Sequence, residues 1–229
     1  RQIHGTSGRV APRQQVAIQD IETKELITVQ TYNSFKPDFE SAEGEILCKG
    51  PNIMLGYYNN PSETALVMDS EGWFHTGDIG KFDRGYLKIT DRYKNMLKTS
   101  LGKNIYPTPI ENTYLQSDKI EQIFIIGDKK EFVTAIVIPK EDNLKDFFGL
   151  NKQFFEDEND VIEDEKIKNW IQEDIKKLSQ SLSNYARIRD FVVKRKPFSV
   201  DTGELTVTLK QKRKVIEERY KIWIEKMYE

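Results

Sequence analysis

Gly72-Trp73-Phe74-His75-Thr76-Gly77-Asp78-Ile79-Gly80 runs into Phe82–Thr90 and then Asp91-Arg92-Tyr93-Lys94, and this stretch decides how the chain reads. Apolar and polar residues alternate imperfectly from Phe82 to Thr90 around Asp83-Arg84-Gly85, the pattern of a hairpin. Thr76-Gly77-Asp78 puts a carboxylate beside a glycine on what reads as a loop, and Arg92 follows the second strand. A carboxylate accepts from a vicinal diol and a guanidinium donates to one, so the two together suit a ribose. Taken alone, the same residues fit an aspartate that caps its own turn and a solvated arginine.

Upstream of this stretch the chain reads mostly as short strands and turns. Val16-Ala17-Ile18, Leu26–Val29 and Glu45–Lys49 are strand candidates, and Ser62 is expected to cap a short helix through Met68. Gly5-Thr6-Ser7-Gly8 is glycine-rich, but no Gly-Lys-Ser or Gly-Lys-Thr follows, which favours an ordinary loop over a phosphate cradle.

Downstream of Asp91 the texture changes. Pro107–Leu115 suits a helix start, because proline is tolerated in a first turn. Ile120–Gly127 and Phe132–Pro139 are apolar, β-branched runs expected as buried strands, with Phe191-Val192-Val193 as a third. Asp142–Phe148 is a short helix candidate. Ile167, Ile171, Ile175 and Leu178 line one face of an amphipathic helix within Val161–Leu182. Leu209–Tyr228 is expected as one terminal helix, with Ile216, Tyr220, Trp223 and Met227 along its docked side. Strands mixed with helices, without a regular βαβ repeat, argue for an α+β class.

Composition narrows the function. Charged residues make up 31% and nearly cancel to a net charge of −2, so no global field draws the chain to nucleic acid or an anionic membrane. The one cysteine, Cys48, cannot form an internal disulfide, which points to a reducing, cytoplasmic setting. No apolar run approaches the ~18 residues of a spanning helix, and no signal peptide is visible. His4 and His75 lie far apart without ligand spacing, so no metal site is expected within the chain. No serine sits in a Gly-x-Ser-x-Gly elbow. The chain begins with Arg1, which reads as a piece of a longer protein.

The order of the motifs carries more than any one of them. Gly72–Asp78, a hairpin, Asp91-Arg92-Tyr93-Lys94-Asn95-Met96-Leu97-Lys98, Thr99–Pro107 and Ile110-Glu111-Asn112 together resemble the acyl-CoA synthetases of the adenylate-forming superfamily, nearest the long-chain fatty-acid branch. The resemblance extends to Gly203–Arg213. It implies that residues 1–91 form a distorted β-barrel subdomain closing the large N-terminal domain, and that residues 92–229 form a mobile, mixed-sheet α+β lid hinged near 91–94. It further implies that Asp78 and Arg92 bind the ribose of ATP or AMP, that Lys94 is the hinge residue, and that Lys210 is the adenylation lysine.

The chemistry calls for a cation at Lys210, because a carboxylate must meet the α-phosphate of ATP and an ammonium can bridge two anions. By count alone Lys210 is one more lysine before the basic run Lys212-Arg213-Lys214. Gly102 and Lys103, in Thr99–Asn104, match a loop that lies beside the pantetheine of CoA in relatives. Leu101 stands where relatives carry a glycine, which leaves a simple hairpin turn as the competing reading.

The implied parent uses fatty acid, ATP with Mg2+, and CoA. The Ser/Thr/Gly-rich phosphate loop and the glutamate motif that holds Mg2+ belong upstream, so the chain alone is expected to be inactive. Peripheral membrane association of the parent stays open. So do another adenylate-forming enzyme and a non-catalytic module that kept the lid fold. The reading requires Lys210 to be free of a buried ion pair and Asp78 to reach solvent.

Overall fold

The computed structural model describes residues 3–229, which divide into two compact units, one ending at Met96 and one beginning at Leu97. In the first unit, β1 (Gln15–Gln19), β2 (Leu26–Thr31), β3 (Gly44–Lys49), β4 (Phe74–Asp83) and β5 (Tyr86–Arg92) pair antiparallel in the order β2-β1-β3-β4-β5. Strand alternation sends Val16 and Ile18 to one face with Val10, Ile46 and Phe82, while Ala17 turns to the other face with Leu47 and Trp73. Asp83 pairs with Tyr86, and Arg84 and Gly85 take φ of 51° and 77°, as a two-residue hairpin turn of the right twist demands.

The mixed α+β class holds, but the sheet is open, where a distorted barrel was expected. Closure would require β2 to pair with β5. Instead the outer edge of β5 is taken by the glycine-rich segment: Ser7 N donates to Leu87 O at 2.7 Å and Leu87 N to Gly8 O at 2.9 Å. Helix α1 (Pro61–Val67) is capped by Asn60 rather than Ser62. The Asn60 side chain accepts from Glu63 N, with Pro61 in the first turn.

The second unit is built on β8 (Ile120–Ile126), β9 (Val133–Pro139), β10 (Val161–Ile162) and β11 (Ile188–Lys194), ordered β10-β11-β9-β8, with β9 and β11 parallel. A ribbon of β6 (Leu97–Lys98) and β7 (Asn104–Ile105) precedes it. The strands read as continuous apolar runs because both faces are covered. Ile123, Ile125, Val133, Ala135 and Val137 pack with α2 (Pro107–Tyr114), α3 (Glu141–Phe148) and α5 (Glu165–Leu178). Between α3 and α5 lies the one-turn α4 (Lys152–Glu156). Phe124, Ile126, Ile136 and Ile138 pack against α6 (Arg213–Arg219) and α7 (Lys221–Lys226).

Two expectations shift. Val161 and Ile162 form a strand, so α5 begins at Glu165, after Asp164 caps it by accepting from Lys166 N and Ile167 N. The terminal helix is two short ones. It starts at Arg213 because residues 206–210 are spent in a turn, and it breaks at Tyr220 (φ −101°, ψ 16°). Ile216, Tyr220, Ile224 and Met227 are buried there, while Trp223 is only partly buried.

Candidate functional site

Asp78 and Arg92 face each other across the β4–β5 ladder, and Arg92 Nε lies 2.9 Å from Asp78 Oδ1. A bulge at Thr90 sits immediately beside them: Ile79 pairs with Asp91, but Gly80 pairs with Ile89. Thr90 Oγ1 donates to Glu43 Oε1 at 2.5 Å, holding the bulge from β3's side. Thr76 Oγ1 donates to Ile46 O at 2.7 Å and accepts from Asp78 N at 3.1 Å, so the threonine of Thr-Gly-Asp fixes the backbone that carries the carboxylate. The Asp78 side chain keeps 22% of its surface open to solvent and that of Arg92 keeps 65%. One Asp78 oxygen thus holds the guanidinium, and the carboxylate remains accessible.

His75 braces the strand rather than pointing at a reacting group. Its Nδ1 lies 3.4 Å from Glu45 Oε2 and its Nε2 lies 3.7 Å from Asp69 Oδ2. Lys94 sits exposed in the 3-10 turn Tyr93–Asn95 that ends this unit's sheet. Asp91, 5% exposed, anchors that turn by accepting from Arg92 N at 2.7 Å and from Asn95 Nδ2 at 3.3 Å.

In the second unit, Thr99–Lys103 is a tight turn between β6 and β7. Thr99 N donates to Lys103 O at 3.0 Å, and Gly102 N donates to Thr99 O at 3.0 Å, with Gly102 at φ 75°. Leu101 stands out from it, 74% exposed, and Lys103 is exposed as well. Ser100 N donates to Lys130 O at 2.9 Å and Lys129 N donates to Lys98 O at 2.7 Å, which ties the turn to the β8–β9 connection.

Lys210 closes a second turn of the same unit. Leu205 and Gln211 form an antiparallel bridge, Thr206 N donates to Lys210 O at 2.8 Å, and Lys210 N donates to Thr206 Oγ1 at 3.1 Å. The Lys210 side chain is exposed and makes no ion pair among the described residues. Beneath the turn lies a buried polar group that the sequence pattern did not reveal. Glu204, with no exposed surface, meets Tyr220 Oη at 3.0 Å and Arg219 Nη1 at 3.2 Å, and accepts from Thr202 Oγ1 at 2.6 Å. The Tyr220 hydroxyl lies 2.5 Å from Asp160 Oδ2, which in turn pairs with the buried Lys194 ammonium at 3.2 Å.

Burial alone would raise the Asp160 carboxyl, but the Tyr220 hydroxyl and the Lys194 ammonium pull it below the usual carboxylate range. Burial, then the Asp160 hydrogen bond, pushes the Tyr220 phenol far above its ordinary value. The available signal was chemical mismatch: a lysine ending the apolar Phe191-Val192-Val193 strand, and a tyrosine with its polar tip on an otherwise apolar helix stripe.

A model of the C-terminal domain of AMP-binding enzymes matches residues 94–229, which include the Thr99–Lys103 turn, the sheet and the Lys210 turn. The chain belongs to that family. Among curated relatives, long-chain-fatty-acid–CoA ligase 5 of Mus musculus is 36% identical over 194 residues, covering 82% of this chain and 28% of the relative. Human long-chain-fatty-acid–CoA ligase 1 is 34% identical over 208 residues, covering 89% of the chain and 29% of the relative. The AMP-binding family chain therefore spans less than a third of the curated relatives it matches. A solved structure of the A domain of carboxylic acid reductase from Segniliparus rugosus, in complex with AMP and a co-purified carboxylic acid, superposes with a TM-score of 0.70 at 25% identity over 97% of this chain and 32% of that one.

Among the described residues of this AMP-binding-family chain, no group of three or more His, Cys, Asp or Glu side chains converges to hold a metal ion. No described helix is long and apolar enough to cross a membrane. The residues singled out from the sequence divide by unit: Asp78, Arg92 and Lys94 belong to the first, and Gly102, Lys103 and Lys210 to the second.

Proposed function

We infer that the chain is the C-terminal part of an AMP-forming long-chain fatty-acid–CoA ligase. In this reading residues 1–91 end the large N-terminal domain, residues 92–229 are its mobile lid, and Lys94 lies at the hinge. The observation that carries the reading is Lys210: an unpaired ammonium on a hydrogen-bonded turn, in a chain 36% identical to a fatty-acid–CoA ligase.

Asp78 accepts from the ribose hydroxyls of ATP or AMP while Arg92 holds the carboxylate in place and donates to the same nucleotide. Lys210 bridges the fatty-acid carboxylate and the α-phosphate, so that the carboxylate oxygen attacks phosphorus and pyrophosphate leaves. After the lid rotates, the turn at Gly102 and Lys103 lies along CoA, whose thiol displaces AMP. A glycine with open space around it suits that role: a Cβ built on Gly102 meets nothing within 4 Å, so a ligand can approach the backbone. Mg2+ and the phosphate loop are assigned to the rest of the parent, and the chain alone is inactive. We place the parent in the cytoplasm, with any membrane contact peripheral, on the reducing setting that a single cysteine suggests.

The test is Lys210→Ala in the full-length parent. Adenylate formation, followed by pyrophosphate release, falls by about 10²–10³-fold. A preformed acyl-adenylate is still converted to acyl-CoA. Intact adenylation in the variant overturns the reading, and a panel of aryl and fatty acids decides the substrate class.

A further inference from the structure

The tip of the Lys210 turn has almost no packing of its own. Val207 is 87% exposed and Leu209 is 71% exposed, and both Thr208 and Lys210 are exposed as well. Leu209 also takes φ 59°, a conformation that an L-residue with a γ-branched side chain adopts only when its surroundings impose it. The position of the ammonium is therefore set at the base of the turn.

That base is a polar cluster whose inner members, Glu204 and Lys194, are buried. Glu204 O accepts from Lys212 N at 2.8 Å, and the next residue, Leu205, bridges to Gln211 and donates its N–H to Ser199 O at 2.9 Å. Gln211 Nε2 donates to Ile123 O at 2.9 Å, fastening the returning strand to β8. The Glu204 carboxylate joins these backbone bonds to the helices through Tyr220 and Arg219, and to the preceding turn through Thr202. Two carboxylates, Asp160 and Glu204, face two cations, Lys194 and Arg219, with the Tyr220 hydroxyl between them. The buried Glu204 and Lys194 are each paired with an opposite charge that reaches solvent, Arg219 and Asp160.

We propose that Glu204 and Tyr220 are positioning residues for Lys210: the buried carboxylate and the phenol clamp the incoming end of the turn to the α6–α7 layer, the returning end is bound to the incoming one through Lys212 N and Glu204 O, and together they fix the backbone from which the ammonium projects. The proposal rests on the adenylation role inferred for Lys210. Neither residue touches substrate. A glutamine at 204 keeps an oxygen where Oε1 meets Tyr220 and Arg219 and turns its amide N–H group toward the Thr202 hydroxyl, so it removes the negative charge opposite Arg219 and loosens the clamp without creating a void. A phenylalanine at 220 keeps the ring and removes the single O–H that lies between Asp160 and Glu204, 2.5 Å from one and 3.0 Å from the other, and that donates to one of them at a time.

The experiment uses Glu204→Gln and Tyr220→Phe, with two readouts. In the 229-residue chain, amide hydrogen exchange at residues 206–211 speeds up roughly tenfold while the amides of β8 and β9 keep their protection. In the full-length parent, the maximal rate of adenylate formation falls roughly tenfold with KM for ATP little changed, and transfer of preformed acyl-adenylate to CoA is retained. Unchanged exchange at 206–211 in both variants overturns the proposal, as does a matched loss of both half-reactions together with loss of protection across β8 and β9. If Lys210→Ala leaves adenylation intact, the functional reading falls, and the exchange arm still decides whether Glu204 and Tyr220 fix the turn.

Discussion

Arg92 holds Asp78 at 2.9 Å across the β4–β5 ladder, yet the arginine side chain is 65% exposed. An ion pair so open to water contributes about 0–1 kcal/mol to stability. Asp78→Asn should therefore leave the melting temperature of the parent almost unchanged. The same substitution should weaken AMP binding by about 10–100-fold, because a charge-assisted hydrogen bond to the ribose is lost. Calorimetric titration beside a thermal melt separates the two effects, and equal AMP affinity in the variant would remove Asp78 from the nucleotide site.

Two glycines with similar backbone angles should respond differently to alanine. A Cβ on Gly85 (φ 77°) would lie 2.3 Å from Lys36 O and 2.8 Å from Phe35 Cε2, whereas one on Gly102 (φ 75°) meets nothing within 4 Å. Gly102→Ala should cost only the left-handed penalty of about 1–2 kcal/mol. Gly85→Ala should cost clearly more, because the backbone around Lys36 must also move. Urea unfolding of both variants ranks them, and the reverse order would contradict the described hairpin.

Ile216 is fully buried between α6 and the sheet face of Phe124 and Ile136. Ile216→Ala should destabilise the second unit by about 2–5 kcal/mol. Native-state hydrogen exchange of the β8 and β9 amides, which belong to that unit alone, measures it. A cost below ~1 kcal/mol would mean that the α6–α7 layer is not docked as described.

Asp160 gives the chain an acid-sensitive element. Its native pKa is lowered, so its contribution is complete above the ordinary carboxylate value near pH ~4 and is lost as pH falls through the lowered native value. Asp160→Asn should lower stability at neutral pH, since Lys194 and Tyr220 lose a charged partner, and should flatten the acid limb. Melting temperatures followed from about pH 6 down to about pH 2 test this, and an unchanged acid limb would assign the sensitivity to other carboxylates.

Local signals were legible in the sequence, and distant ones were not. Asp83-Arg84-Gly85 announces its hairpin because the turn chemistry is contained in the residues themselves. The β8 and β9 runs announce burial on both faces through composition. The open sheet could not be foreseen, because it depends on Ser7 and Gly8 reaching Leu87 across about eighty residues of sequence. Asn60 outcompetes Ser62 as a cap because Pro61 begins the helix, a choice of one residue that propensity alone does not make. The helix breaks at Tyr220, whose hydroxyl lies between Asp160 and Glu204, and their positions in sequence give no hint that the three meet. Asp78, Arg92 and Lys210 were singled out by motif order, while Glu204, which lies inside the same motif, was passed over because its role is expressed only in three dimensions.

The α6–α7 layer covers a face that is made before it. Ribosomes deliver Phe124, Ile126, Ile136 and Ile138 about eighty to a hundred residues ahead of Ile216 and Ile224, which seal them. During that interval a nascent chain displays one bare, β-branched surface, the kind that chaperones bind and that aggregates when left alone. A premature stop codon anywhere between β11 and Arg213 would make that interval permanent, so such truncations should be cleared by proteolysis rather than accumulate as folded fragments.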